Sequence, residues 1–163
     1  MASSEPYELI FDITREGFRN WWFPAFGLFF VALGVVGAMV ERHFAARPGR
    51  WPRALGVWAF LSFSVLWTIL SGFFIYRDYA RLVRAFEQDT VQYVEGPVQN
   101  FIPMPANGHG VERFEVGGKR FEYSHNVASA GFNHTSTKGG PIHEGLQVRI
   151  GYVGDTIVRL EVR

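Results

Sequence analysis

The sequence predicts a membrane α-helical hairpin carrying a small all-β domain. Three observations lead there. Two uncharged stretches, Trp21–Val40 and Ala54–Tyr76, each reach the length of about 20 apolar residues that a helix needs to cross a hydrocarbon core. After Thr90 the apolar residues change from helical spacing to alternation. The composition is 48% hydrophobic and 19% charged, with 16 Phe and 5 Trp, which fits either a membrane protein or an unusually apolar core. Concentration of those residues in two runs decides for the membrane.

Residues 1–20 are polar and mildly acidic. In "YELIFDITREGF" Ile10, Ile13 and Phe18, with Phe11 nearby, predict a short amphipathic helix lying at the interface. Trp21 and Trp22 mark the headgroup level, where indole rings are favoured. The first span, 21–40, starts too late and runs too long for the apolar core of a signal peptide. It also lacks a small-x-small cleavage site, so it is expected to be a retained anchor. Pro24 falls in its first turns, where a missing N–H costs little. Gly27, Gly34 and Ala38 form one stripe of small residues. Ser64, Thr68 and Gly72 form another on the second span, 54–76. Small residues let membrane helices approach closely, so the two stripes are expected to face each other in an antiparallel hairpin. The connection, 41–53, is rich in arginine: Arg42, Arg47, Arg50 and Arg53. Residues 77–89 extend the second helix, with Tyr79, Leu82, Val83 and Phe86 at helical spacing and Arg77, Arg81 and Arg84 elsewhere.

Residues 90–163 form the β domain. "VEGPVQNFIPM" reads as an edge strand interrupted by prolines. "VERFEV" and "KRFEYS" alternate around a tight Gly117-Gly118 turn. "LQVRIGY" and "TIVRLEV" alternate around Gly154-Asp155. Five or six antiparallel strands in this length predict a barrel or rolled sheet, since closure removes exposed edges. The segment 90–163 is expected to fold alone.

"TSTKGGPIHEG", residues 135–145, is the stretch that looks most like chemistry. A phosphate-binding loop needs its glycines between a strand and a helix, with lysine and hydroxyl after them. Here Lys138 precedes the glycines and a strand follows, which excludes that reading. A connection this long is uncommon unless functional or mobile. His134, Thr135, Ser136, Thr137, Lys138 and His143 are therefore the candidate partner-contact residues. His109, His125, His134 and His143 match no spacing of a metal motif. The neighbours Ser124 and His125 do not by themselves define a nucleophile and base. There is no cysteine, so disulfides and thiolate metal sites are excluded. Net charge is +1, without the basic footprint of a nucleic-acid binder. No cofactor is expected.

"VEGPVQNF", "FEVGGKRFEYS" and "GGPIHEGLQVRIGYVGDTIVRLEV" together resemble the tails of small uncharacterised bacterial membrane proteins with two helices and a compact β domain. The strand, Gly turn, "G-x-x-V-x-I-x-Y" and final apolar strand are also similar to the OB-like tails of nodulation-efficiency-type membrane proteins. That second group is linked to stomatin-like scaffold proteins, so the resemblance implies an OB-like fold and an interaction role; the chain as a whole is expected to be an integral inner-membrane protein. It covers about 70 residues and carries no catalytic residue across. The protease-like domain of the group's longer members has no counterpart here.

The expected function is non-enzymatic: a β domain serving as an adaptor for a larger membrane assembly. Its partners would be the bilayer and another membrane protein or a second copy. A membrane-anchored small-molecule or ion sensor is the alternative, and a membrane-bound hydrolase the third. Orientation follows from arginine, which tends to stay in the cytoplasm near span ends. Arg15 and Arg19 precede the first span, and Arg77, Arg81 and Arg84 follow the second. Pooled, these flanks outnumber the loop and place the β domain inside. Taken helix by helix the loop outweighs each flank, which places it in the cytoplasm and the β domain in the periplasm. The first helix usually dominates, so the second arrangement is the expected one.

Overall fold

The computed structural model describes residues 6–43, 51–105 and 110–163, with only the backbone of 51–53. The chain divides into two compact units. One is Arg19–Arg77; the other joins Met1–Phe18 to Asp78–Arg163.

The first unit is helical. A 3-10 turn at Arg19–Trp21 leads into α2, Trp22–His43. Helix α3 runs from Trp51 to Glu87, through both the expected second span and its extension. Among the described residues, two helices are long and apolar enough to cross a membrane. Residues 44–50 of the expected loop, with Arg47 and Arg50, lie outside the described residues, as does His109. Glycine sets the spacing of the pair. A Cβ on Gly27 would sit 2.4 Å from Thr68 Oγ1, and one on Gly34 2.9 Å from Leu61 Cδ1. One on Gly72 would lie 3.4 Å from Pro24 Cβ. Positions rise along α2 as they fall along α3, so the helices are antiparallel. Ala38 is buried on α2 and Ser64 on α3, with Thr68 half-buried. Ser64 Oγ donates to Phe60 O at 2.8 Å and Thr68 Oγ1 to Ser64 O at 2.7 Å, so neither hydroxyl is unsatisfied in its apolar surroundings.

Among the described residues the second unit contains seven strands: β1 (Glu8–Asp12), β2 (Gln92–Pro97), β3 (Gln99–Ile102), β4 (Glu112–Val116), β5 (Lys119–Tyr123), β6 (Gln147–Val153) and β7 (Thr156–Val162). They form two antiparallel sheets, in the orders β1-β7-β6-β2 and β3-β4-β5. The chain steps from one sheet to the other at the buried Val98, between β2 and β3. Pro97 ends β2, an edge strand, where a missing N–H breaks no ladder. Gly117 and Gly118 both have positive φ, as a two-residue hairpin loop requires.

Three expectations need correction. The sheets do not close into a barrel. The gap is filled by side chains instead: Phe11, Phe114, Phe121, Tyr123 and Phe132 belong to one core with Val148, Ile150 and Leu160. Residues 8–12 are a strand rather than an interfacial helix, and only Ile13–Glu16 makes a helical turn, α1. A single turn is too short to be stable alone, so the open edge of β7 decides the conformation. A bulge between Leu9 and Phe11 then turns Phe11, Asp12 and Ile13 inward. Finally, the β unit is larger than 90–163. It takes in β1 from before the hairpin and Tyr79, Leu82, Val83 and Phe86 from the end of α3, with Leu82 fully buried.

The clasped loop of the β unit

The connection from β5 to β6 is tied to strands of both sheets by two contacts away from its centre. Phe132 N–H donates to Ile157 O at 2.9 Å, on the same edge of β7 that β1 occupies further along. Gly131 allows this approach, since a Cβ there would meet Ile157 O at 2.7 Å. Further on, Glu144 Oε2 accepts from Phe101 N–H at 2.7 Å.

The middle of the loop is held by Glu112. Alternation on β4 places this acid on the inward face with Phe114 and Val116, and it is 0% exposed. A buried carboxylate is costly unless donors surround it. Tyr123 OH donates to Oε1, and Ser136 donates to Oε2 from its N–H at 2.9 Å and its Oγ at 2.5 Å. Burial of the Tyr123 phenol, and then its bond to Glu112 and that group's charge, push its pKa far above the ordinary value. The clasp fixes a 3-10 turn at Ser136–Lys138, closed by Gly139 in the left-handed region. Gly140 has no room for a side chain, because a Cβ would overlap His134 O.

This geometry sorts the candidate contact residues. Thr135 is buried; its Oγ1 lies 2.7 Å from His125 Nδ1 and 3.0 Å from Thr137 Oγ1. Ser136 is half-buried in the clasp. His134, Thr137, Lys138 and His143 are exposed. The loop therefore offers imidazole, hydroxyl and ammonium groups outward from a fixed backbone. Glu112 is the residue that sequence reasoning passed over. Its signal was an acid in step with Phe114 and Val116.

Ser124 and His125 do not address one another: Ser124 Oγ donates to Met104 Sδ at 3.8 Å, while His125 Nδ1 faces Thr135. Among the described residues no three His, Asp or Glu side chains come together as a metal site. A cleft of about 270 Å³ lies between the end of β5 and the start of β7, with Tyr123 and Phe132 in its lining. Its rim acids are paired, Glu122 with Arg113 at 3.2 Å and Asp155 with Lys119 at 2.7 Å. Comparison with protein-family models, curated proteins and solved structures found no match to this chain.

Proposed function

We propose that the chain is an integral protein of a bacterial inner membrane, in which the helical hairpin anchors the β unit as an interaction module for a larger membrane assembly. One observation carries the anchoring. Among the described residues, nearly all the exposed large hydrophobic side chains lie between Trp21 and Tyr76; the exceptions are Tyr93, Ile102 and Val127. Apolar surface on that scale needs a covering, and lipid supplies it. The ends carry interfacial residues. Trp21, Trp22 and Tyr76 are exposed at one end of the hairpin, and Arg42 lies 5.8 Å over the Trp58 ring toward the other.

The adaptor role rests on the clasped loop. Its backbone is ordered by a buried network while its polar tips face solvent, as a recognition surface on a rigid scaffold requires. The partner is another membrane protein or a second copy. The test is a pull-down from native membranes in mild detergent, comparing the wild type with a variant in which His134, Thr137, Lys138 and His143 are all alanine. A membrane protein retained by the wild type and lost from the variant supports the reading. Equal retention, or none, removes the loop from the interface. The cleft beside Tyr123 and Phe132 favours a second reading, a small-molecule sensor. A ligand that raises the melting temperature of the wild type but not of Phe132→Ala would favour it.

A further inference from the structure

We propose that the exposed arginine face at the end of α3 binds anionic phospholipid headgroups. This rests on the reading of α3 as a membrane span. The uncharged run ends at Tyr76, and Arg77, Arg81 and Arg84 follow within the same unbroken helix. At 3.6 residues per turn they fall within about 60° of one another, opposite the stripe of Tyr79, Leu82, Val83 and Phe86 that enters the β core. All three are exposed. The core stripe therefore fixes which way Arg81 and Arg84 face, and Arg77 lies in line one helical turn earlier in α3.

Their direction along the axis is also fixed. Side chains on a helix point toward its N-terminus, which here is the membrane side. Two hydrogen bonds show the same sense. Arg81 Nη2 donates to Asp78 Oδ1 at 2.9 Å, and Arg84 Nε donates to Ala80 O at 3.0 Å. The Arg81 and Arg84 guanidinium groups are thus folded back toward the N-terminal end of the helix, and each has further N–H donors beyond the one used in that bond. The three positions span roughly 10 Å along the axis, close to the depth of the headgroup layer. Phosphate esters match the planar fork of guanidinium in charge and geometry. A zwitterionic headgroup offers the same phosphate with its charge cancelled, so the preference should be for net anionic lipid.

The full-length chain is placed in bilayers of phosphatidylcholine containing spin-labelled phosphatidylglycerol or spin-labelled phosphatidylcholine, and the motionally restricted lipid is measured. The wild type should prefer phosphatidylglycerol about fivefold at low salt, and the preference should shrink as salt screens it. R77Q/R81Q/R84Q should bring it to about one, and R77K/R81K/R84K should retain most of it. Equal association of both lipids with the wild type overturns the proposal. So does a glutamine variant that keeps the preference, or an acidic protein that occupies these arginines while lipid selectivity is absent. Failure of the chain to enter bilayers at all, judged by flotation, removes the membrane reading itself. Insertion without selectivity removes only the lipid site.

Discussion

Glu112 has no exposed surface and three donors on its two oxygens. Glu112→Gln keeps the shape but offers a single acceptor oxygen. It should lower stability by about 2–3 kcal/mol, the range for losing buried hydrogen bonds to a charged group. Hydrogen exchange at the Ser136 amide should also speed up, since one neutral oxygen replaces the two charged ones that now serve three donors. Unchanged protection there would mean that the clasp does not hold the loop. Tyr123 makes a second residue-scale claim. Its pKa is raised by burial first and by Glu112 second. Below about pH 10 the phenol is protonated in both folded and unfolded chains, so it contributes no pH dependence. Above that the unfolded chain releases its proton while the folded one keeps it. Stability should therefore fall as pH rises, by up to about 1.4 kcal/mol per unit for this group. Tyr123→Phe should be less stable at pH 8 yet flatter between pH 10 and 11. Parallel urea midpoints for the two proteins across that range would refute it.

Elements differ in how openly they announce themselves. The hairpin was legible because a twenty-residue apolar run has few alternatives. The pairs β4-β5 and β6-β7 were legible because alternation and turn glycines agree. Strand β1 was not. Five residues with a bulge carry no clean period, and the deciding partner lies about 150 positions away in the chain. The candidate loop was visible as a long connection, but its clasp needed two distant residues, Glu112 and Ser136, brought together. The missed strand changes what should fold. Phe11, Ile13 and Leu82 are at most 4% exposed and lie outside 90–163. Each contributes about 1.5–3 kcal/mol by burial, so their joint loss rivals the whole stability of a small domain. A 90–163 fragment should show no cooperative unfolding, whereas 78–163 with residues 6–18 joined through a flexible linker should. Cooperative melting of the short fragment would show that β1 is dispensable. The hairpin yields a paired test. Gly34→Leu forces atoms against Leu61, whose Cα would be 3.1 Å from the new Cβ, and should cost about 1–3 kcal/mol. Gly56→Leu meets nothing within 4 Å and should be tolerated. Equal effects would argue against tight packing at Gly34.

At the scale of the whole molecule, one sheet constrains topology. Strand β1 precedes the hairpin and β7 ends the chain, yet they pair from Glu8↔Val162 to Asp12↔Arg159. Arg159 also lies 3.5 Å from the buried Asp12, tying the two strands by charge. A chain with only one crossing would leave these strands on opposite sides and the β unit unfinished. Two crossings keep them together, so reporters fused at Ala2 and Arg163 should enter the same compartment. Opposite compartments would be incompatible with the sheet. Which compartment is a separate question, because an inverted hairpin preserves every contact in the β unit. Only the arginines break that symmetry. The connection between the helices carries Arg42, Arg47, Arg50 and Arg53, against Arg15 and Arg19 before the first helix. The first helix usually sets orientation, so the expected arrangement has the connection in the cytoplasm and the β unit in the periplasm. Replacing Arg47, Arg50 and Arg53 with asparagine leaves one arginine against two and should invert or scramble the arrangement. Protease added outside intact spheroplasts should reach the β unit of the wild type. Full protection there, with cleavage only after lysis, would place the unit in the cytoplasm. It would also mean that the five flanking arginines, counted together, outweigh the four in the connection.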